Sequence, residues 1–491
     1  MEPHYKHQLK AADLLNKFDQ YALIMEQGTG KSRPVLDDWI TRIESGRAKD
    51  LVVIGPKGAY MNWVGTPEEP GEVDKWLLPS TRDYIRVVPW VSGGTAAQRE
   101  ALKNLLHARG PRFLAMNVEA LNRSGAAREY LLKFVDGNKV IGCVDESTTI
   151  AHESAQRTKF ILHELAQKFV ARRILSGLVA PESPMDLYSQ YCFLDWKIIG
   201  QRSFFGFKHR YAIMEKVNFT PAHLRAQGQL FRDVNVVVGF RNIPDLHEKI
   251  MARSYRVLKS DVLDLPPKIY QFWDVDLTPE QEKNYYQMRD LAYTELAFGT
   301  FSTASMKLDQ LGKMQHILCG HVRQEDGSLI DIPENRTAAV VEILQHHSGK
   351  AIIWCPWPQA LRKIVAALKK EFGEDSTVGF WGEHELKERL DARARIQNDE
   401  QCRFIVSNQS VGRFGNTWTA ANLVIYYANS FDNEDRQQSE DRAHRIGQTR
   451  SVTYIDLRAR GTIDEKLIQT LRKKINMSST LQGDAFKEWL I

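Results

Sequence analysis

Gly28-Thr29-Gly30-Lys31-Ser32 places two glycines, a cation and a hydroxyl within one short stretch, a grouping suited to a nucleoside triphosphate. Without a Cβ at positions 28 and 30, backbone N–H groups can turn toward phosphate oxygens. Lys31 then supplies charge to the β- and γ-phosphates, and the Ser32 hydroxyl is a ligand for Mg2+. Met25 stands where the strict phosphate-loop pattern has its first glycine, so the match is partial. Further on, Asp145-Glu146 closes the apolar run Val140 to Val144. Two carboxylates at a strand end suit a division of labour, with Asp145 in the Mg2+ shell and Glu146 positioning and deprotonating the attacking water. Near the other end of the chain, QSEDRAHRIGQ (438–448) carries Arg442 and Arg445. Guanidinium groups so far from the glycine loop imply an ATP site divided between two lobes, which is the arrangement of a motor.

Those groups need rigid supports. Tyr21 to Met25 leads into the glycine loop and then a helical pattern with Val35, Trp39 and Ile43. Leu51 to Ile54, Phe113 to Met116, Val140 to Val144 and Arg173 to Leu175 repeat the theme of a short apolar run followed by a turn and a helix. A second series comprises Ala351 to Cys355, Thr377 to Phe380, Arg403 to Val406, Leu423 to Tyr426 and Val452 to Leu457. Alternating strands and helices predict two α/β lobes, each a doubly wound parallel sheet covered on both faces. Periodicity is weaker from Trp196 to Gln271, and Asp264-Leu265-Pro266-Pro267 reads as an extended exit linker.

Composition sets the bounds. The chain has 491 residues, 43% hydrophobic and 26% charged, with a formal net charge of +5, values ordinary for a globular protein of roughly three domains. That charge permits a polyanionic partner only if cations cluster, as in RSFFGFKHR (202–210) and again from Lys466 to Lys474. Cys143, Cys192, Cys319, Cys355 and Cys402 are widely spaced, which argues for core thiols rather than a zinc site or disulfide framework. The apolar runs are strand-length and the N-terminal stretch is polar, so a reducing, cytoplasmic setting without a membrane is expected.

Taken together, these residues resemble the Swi/Snf-like branch of the superfamily-two helicases, the duplex-DNA translocases, over residues 1–470. The most specific element is QSEDRAHRIGQ, one residue away from the form QAEDRAHRIGQ common in that family. The resemblance implies two RecA-like lobes with ATP in the cleft between them, Mg2+ as cofactor, and Arg442 and Arg445 as arginine fingers. It implies that Gln8 reads adenine, and that Gly28, Thr29, Gly30, Lys31, Ser32 and Gly415 hold the nucleotide. Lys57 and Trp63, following Ile54-Gly55-Pro56, fall where the first lobe touches DNA, as does Asn117 within Phe113 to Leu121. Ser407, Asn408 and Gln409 open the matching segment of the second lobe, and Leu175-Ser176-Gly177 corresponds to the element linking hydrolysis to lobe movement. The implied layout is a first lobe over 1–200, a helical insertion and linker over 201–270, a second lobe over 271–461 and a helical tail over 462–491.

Several positions depart from the family pattern. Thr148 replaces the histidine of the DEAH-type box, Leu178-Val179-Ala180-Pro181 replaces Thr-Pro and polar residues, Arg413 stands for a glycine and Thr417 for an asparagine. None removes the phosphate loop, the carboxylates or the finger arginines, so hydrolysis is expected, with any coupling carried by that imidazole rearranged or lost. The implied partner is duplex DNA, gripped by its backbone without sequence preference, alongside replication or repair proteins, with the chain acting as a monomer. Rival expectations are a strand-separating or branch-migrating DNA helicase, an RNA-directed motor, and a nucleotide-gated DNA-binding protein that does not hydrolyse.

Overall fold

The computed structural model describes residues 4–57, 59–66, 70–123, 125–217, 234–297, 304–324, 327–412 and 417–471. They divide into two compact units, one taking in residues 4–212 and 240–264, the other 265–471 with 213–217 and 234–239.

The first unit is built on β1 (Gln20–Met25), β2 (Asp50–Gly55), β3 (Arg86–Pro89), β4 (Arg112–Asn117), β5 (Val140–Asp145) and β6 (Ala171–Ser176). After a two-stranded ribbon of β7 (Ala212–Val217) and β8 (Val234–Phe240), β9 (Ser254–Val257) completes its sheet. The order is β3-β4-β2-β5-β6-β1-β9, and every pairing is parallel. Residue alternation explains why the sheet is covered on both sides. Ala22 and Ile24 of β1 join one core with Val52, Leu114 and Ile174, whereas Tyr21, Leu23 and Met25 join another with Leu51, Phe113 and Leu175. Register aligns the functional strand ends: Asp145 lies opposite Leu175, and Leu175 opposite Leu23. The phosphate loop and the acidic pair therefore leave the same edge of the sheet, where ligands of open α/β sheets bind.

The second unit holds β10 (Lys268–Asp274), a hairpin of β11 (His321–Arg323) and β12 (Leu329–Asp331), and then β13 (Lys350–Trp354), β14 (Thr377–Phe380), β15 (Phe404–Ser407), β16 (Ala421–Tyr426) and β17 (Val452–Arg458). Its main sheet runs β10-β17-β16-β13-β15-β14, again with parallel pairs throughout. Ala351 and Ile353 face a core with Phe404 and Ile425, while Ile352 and Trp354 face one with Ile405 and Val424. A satellite core of Tyr285, Ile317, Leu318 and Ile463 joins the helices Pro279–Ala297 and Ala304–Leu318 to the start of the tail.

Both expected α/β sheets are present, with each strand of the two predicted series. Within the 201–270 stretch, β9 extends the first sheet beside β1 and the start of β10 forms an edge of the second. Of the cysteines, Cys143, Cys319, Cys355 and Cys402 are buried and Cys192 is partly so. Among the described residues no helix is long and apolar enough to cross a membrane.

Candidate functional site

In the first unit, β1 ends at Met25 and the chain turns through Gly28 (φ 84°) and Gly30 (φ 80°) before the helix Ser32–Glu44. Left-handed backbone at both positions makes glycine the fitting residue. Gly30 has a second reason, since a Cβ there would lie 2.2 Å from Gln8 Nε2. Thr29 Oγ1 donates to the Glu26 carbonyl at 2.7 Å and closes the turn. Lys31 Nζ donates to the Met25 carbonyl at 3.0 Å, so the cation curls over its own loop. Arg256 in β9 buttresses the loop, donating to the carbonyls of Ile24 (3.3 Å) and Gly177 (3.2 Å). Lys259 N adds a bond to Glu26 Oε2 at 2.8 Å. The segment from 254 to 259, within the stretch read as helical insertion and linker, thus packs against this loop.

Gln8 is buried, with Oε1 accepting from Tyr5 N (3.1 Å) and Nε2 donating to Gly30 O (3.2 Å). His7 Nε2 lies 2.8 Å from Thr29 O. The amide expected to read adenine is here engaged in bracing the phosphate loop, so pairing with a base requires those bonds to exchange.

At the end of β5, Glu146 adopts φ 47°, one of two non-glycine residues with positive φ among those described. Such a conformation costs about 1–3 kcal/mol and persists only where the surroundings impose it. Here Glu146 N donates to Asp145 Oδ1 (3.0 Å), and Gln27 Nε2 donates to Glu146 Oε1 (3.3 Å), tying acidic pair to phosphate loop. Asp145 keeps a partly open edge, yet its carboxylate is densely surrounded by protein. Desolvation and then the adjacent Glu146 charge push its pKa up to about 6, against the opposing pull of Lys31 and a hydrogen bond from Trp63. Paired acidic oxygens with too little positive charge around them fit a divalent cation. Among the described residues no cluster of three or more His, Cys, Asp or Glu could cage one. An Mg2+ here would rest on Asp145, the Ser32 hydroxyl and phosphate oxygens, the manner in which Mg2+ usually binds beside nucleotides.

Trp63 requires a correction. It is only 2% exposed, and its Nε1 donates to Asp145 Oδ2 at 2.9 Å. The short helix Met61–Val64 turns the indole inward toward Phe113, so it orients the acidic residue and is not presented to DNA. Lys57 is exposed, while Asn117 at the end of β4 is mostly buried. In the second unit Ser407 and Gln409 are also interior: the Ser407 hydroxyl donates to Phe380 O and Gln409 Nε2 to Ala428 O (3.1 Å). Of that trio only Asn408 is partly open, with Nδ2 bonded to Ser410 Oγ at 3.1 Å. Gly415 and Arg413 lie outside the described residues.

The arginine motif follows the helix Asn433–Glu440, which Asp432 caps by accepting from Glu434 N and Asp435 N. Arg442 is buried with Nε donating to Gln438 O (3.0 Å), and Arg445 is half-buried in the turn beyond. Most other members of QSEDRAHRIGQ are scaffold. Glu440 accepts from Lys268 Nζ (3.0 Å), Tyr270 OH (2.7 Å) and Arg436 Nε (3.0 Å). Burial opposes ionisation of that carboxyl, but Lys268 and Arg436 outweigh it and hold its pKa below the ordinary range. Arg436 also forks onto Asp456, His444 Nε2 reaches Pro266 O (2.7 Å), and Gln448 Nε2 donates to the carbonyls of Thr419, Ala421 and Ala443. The motif loop is thus clamped at both ends. Sequence reading singled out the arginines and missed Glu440, His444 and Gln448; charged or amide residues recurring in a segment bounded by core strands were the available signal.

Comparison with known proteins bears on these two sites. Residues 335–447 match the family described as the helicase conserved C-terminal domain. The chain is 28% identical over 343 residues to the mouse DNA annealing helicase and endonuclease ZRANB3, an overlap of 69% of this chain and 30% of that protein. It is 24% identical over 394 residues to the TATA-binding protein-associated factor mot1 of Schizosaccharomyces pombe, covering 69% of this chain and 20% of the relative. The chain thus spans under a third of the length of these curated relatives. A solved structure of the Sulfolobus solfataricus SWI2/SNF2 ATPase core in complex with dsDNA aligns at TM-score 0.41 and 22% identity, over 98% of this chain and 94% of that one.

Proposed function

We propose that the chain is a Swi/Snf-type helicase-like ATPase of superfamily two, a DNA-stimulated ATPase that translocates along duplex DNA. The observation that carries this reading is the state of the acidic pair. A strained Glu146 and an Asp145 pushed toward neutrality sit beside a glycine loop whose lysine donates to a backbone carbonyl. Such a site gains most from a ligand that brings phosphate oxygens to Lys31 and a cation to Asp145.

In the proposed cycle Lys31 leaves Met25 O for the β- and γ-phosphates, and Glu146 orients water for in-line attack. Mg2+, when bound, neutralises charge on the phosphates. Arg445 and Arg442 of the second unit approach the γ-phosphate and stabilise charge developing in the transition state, which arginine fingers do by about 10³ to 10⁵ in rate. ATP draws the units together; phosphate release lets them part. With Lys57, Asn117 and Asn408 on the strand phosphates, repeated closure steps the protein along DNA without reading bases. The protein would work as a monomer on DNA in the cytoplasm, in remodelling, replication or repair.

The test is ATP hydrolysis in the presence of matched duplex DNA, single-stranded DNA and RNA, with Lys31→Ala and Glu146→Gln as controls. Duplex DNA should stimulate most, with stimulation falling as salt rises, and triplex displacement should occur without unwinding of a forked duplex. Efficient unwinding would favour the strand-separating reading, and phosphate release unchanged by either substitution would remove the proposed site.

A further inference from the structure

Ser147 and Gln190 lie outside the phosphate loop, the acidic pair and the arginine motif, yet both are wholly buried polar residues beside them. Ser147 follows Glu146 and starts the short helical turn to Ile150; Gln190 sits on the helix Leu187–Ile199 beyond β6. The Ser147 hydroxyl donates to Gln190 Oε1 at 2.6 Å. Gln190 Nε2 donates to Val179 O (2.6 Å) and Asp186 O (2.8 Å). Two carbonyl acceptors on one end of the amide fix its orientation, leaving its oxygen for the hydroxyl. Both amide protons and the carbonyl oxygen of this side chain thus join the acidic turn to the loop between 178 and 186.

That loop returns to the nucleotide site. Ser176 Oγ accepts from Leu178 N (3.0 Å), and the Gly177 backbone runs so close to the phosphate loop that a Cβ there would lie 3.3 Å from Gln27 N. Gln27 in turn holds Glu146. The contacts close a ring: phosphate loop, Glu146, Ser147, Gln190, Val179, Gly177 and back to the phosphate loop. A displacement of Glu146 on nucleotide binding or hydrolysis must either break a buried hydrogen bond or move the 178–186 loop with it, and a buried bond left unmade is costly.

We propose that Gln190, through Ser147, is a positioning residue that transmits the state of the acidic pair to the loop after Gly177, and so couples hydrolysis to DNA. The inference rests on the ATPase reading above and deepens it. In a chain with Thr148 at the histidine position of the DEAH-type box, the connection would then run through the neighbouring hydroxyl.

The experiment compares Gln190→Leu, Ser147→Ala, Ser147→Thr and the Gln190→Leu/Ser147→Ala double variant, measuring KM for ATP and kcat with and without saturating duplex DNA. Removing either side of the bond should lower the DNA-stimulated kcat about tenfold, within the range of ordinary coupling energies, with KM and the unstimulated rate within about twofold of wild type. The double variant should be no worse than the poorer single one, because both remove the same connection. Ser147→Thr, which keeps the hydroxyl, should restore most of the stimulation. Full stimulation in Ser147→Ala, or losses that multiply in the double variant, would overturn the assignment; Ser147→Ala deletes a single oxygen and decides the matter even if Gln190→Leu does not fold. A wild-type protein that DNA fails to stimulate would instead remove the proposed function itself.

Discussion

The two units treat their charges in opposite ways. Around the phosphate loop, charge is left poorly compensated: Asp145 is pushed up to about 6, Glu146 is held at φ 47°, and Lys31 donates to a carbonyl. Around the arginine motif, charge is compensated almost to completion, with Glu440 held below its usual pKa by Lys268 and Arg436, and Arg436 forked onto Asp456. A site that awaits a ligand stores unfavourable electrostatics that the ligand relieves. A site that delivers a cation needs a rigid mount, and buried pairs with every partner in place supply one.

Substitutions can break this contrast from either side. Arg445→Ala should act on chemistry and hardly at all on the mount, lowering kcat by about 10³-fold or more with the melting temperature nearly unchanged. A steady-state ATPase assay beside a thermal melt checks this. Glu440→Ala strikes the mount itself, taking from Lys268 and Arg436 the buried carboxylate they share. It should cost about 3–5 kcal/mol in denaturant unfolding, and activity should be lost through structure. An activity loss without destabilisation would show that the network is not what holds the arginine loop.

Gly30→Ala tests the first unit, where a methyl group would meet Gln8 Nε2 in a left-handed conformation. A loss of about 1–2 kcal/mol from the backbone alone, together with weakened ATP binding by calorimetry, is expected. Asp145→Asn sharpens the contrast most finely, since it should abolish hydrolysis while stabilising the nucleotide-free protein. The sign follows from the raised pKa. Below about pH 4 the native and unfolded carboxyls are both protonated and no penalty exists; it builds between about pH 4 and 6 and is complete above. The Asn variant should therefore unfold about 1–2 kcal/mol later at pH 8 and equally at pH 4. For the same reason, wild-type hydrolysis should decline as pH falls through about 6, with the midpoint moving lower as Mg2+ is raised.

Legibility in the sequence followed the same division. Strands with unbroken apolar runs, such as Leu51 to Ile54 and Ile352 to Trp354, announce themselves because both faces are buried. The β3 segment Arg86–Pro89 and the β9 segment Ser254–Val257 do not, being short sheet-edge strands that carry arginine. The placement of Lys31 after a glycine turn and of Asp145 and Glu146 at a strand end was readable because it is local to a turn and a strand end. The burial of Trp63, Ser407 and Gln409, read as DNA contacts, was not readable, because sequence order says which residues are near a strand end but not which way each turns. Gln190 was silent altogether, since its meaning arises only when the helix after β6 brings it to Ser147.

Whether the second unit's arginines act on the nucleotide held by the first is decided most directly by the affinity of a transition-state mimic. ADP and ADP with aluminium fluoride should be titrated against wild type, Arg445→Ala and Lys31→Ala in the presence of duplex DNA. The account predicts that Arg445→Ala binds ADP within about twofold of wild type but loses about 100-fold or more for the aluminium fluoride complex, while Lys31→Ala loses both. Equal affinity of wild type and Arg445→Ala for the mimic would contradict a site shared between the two units.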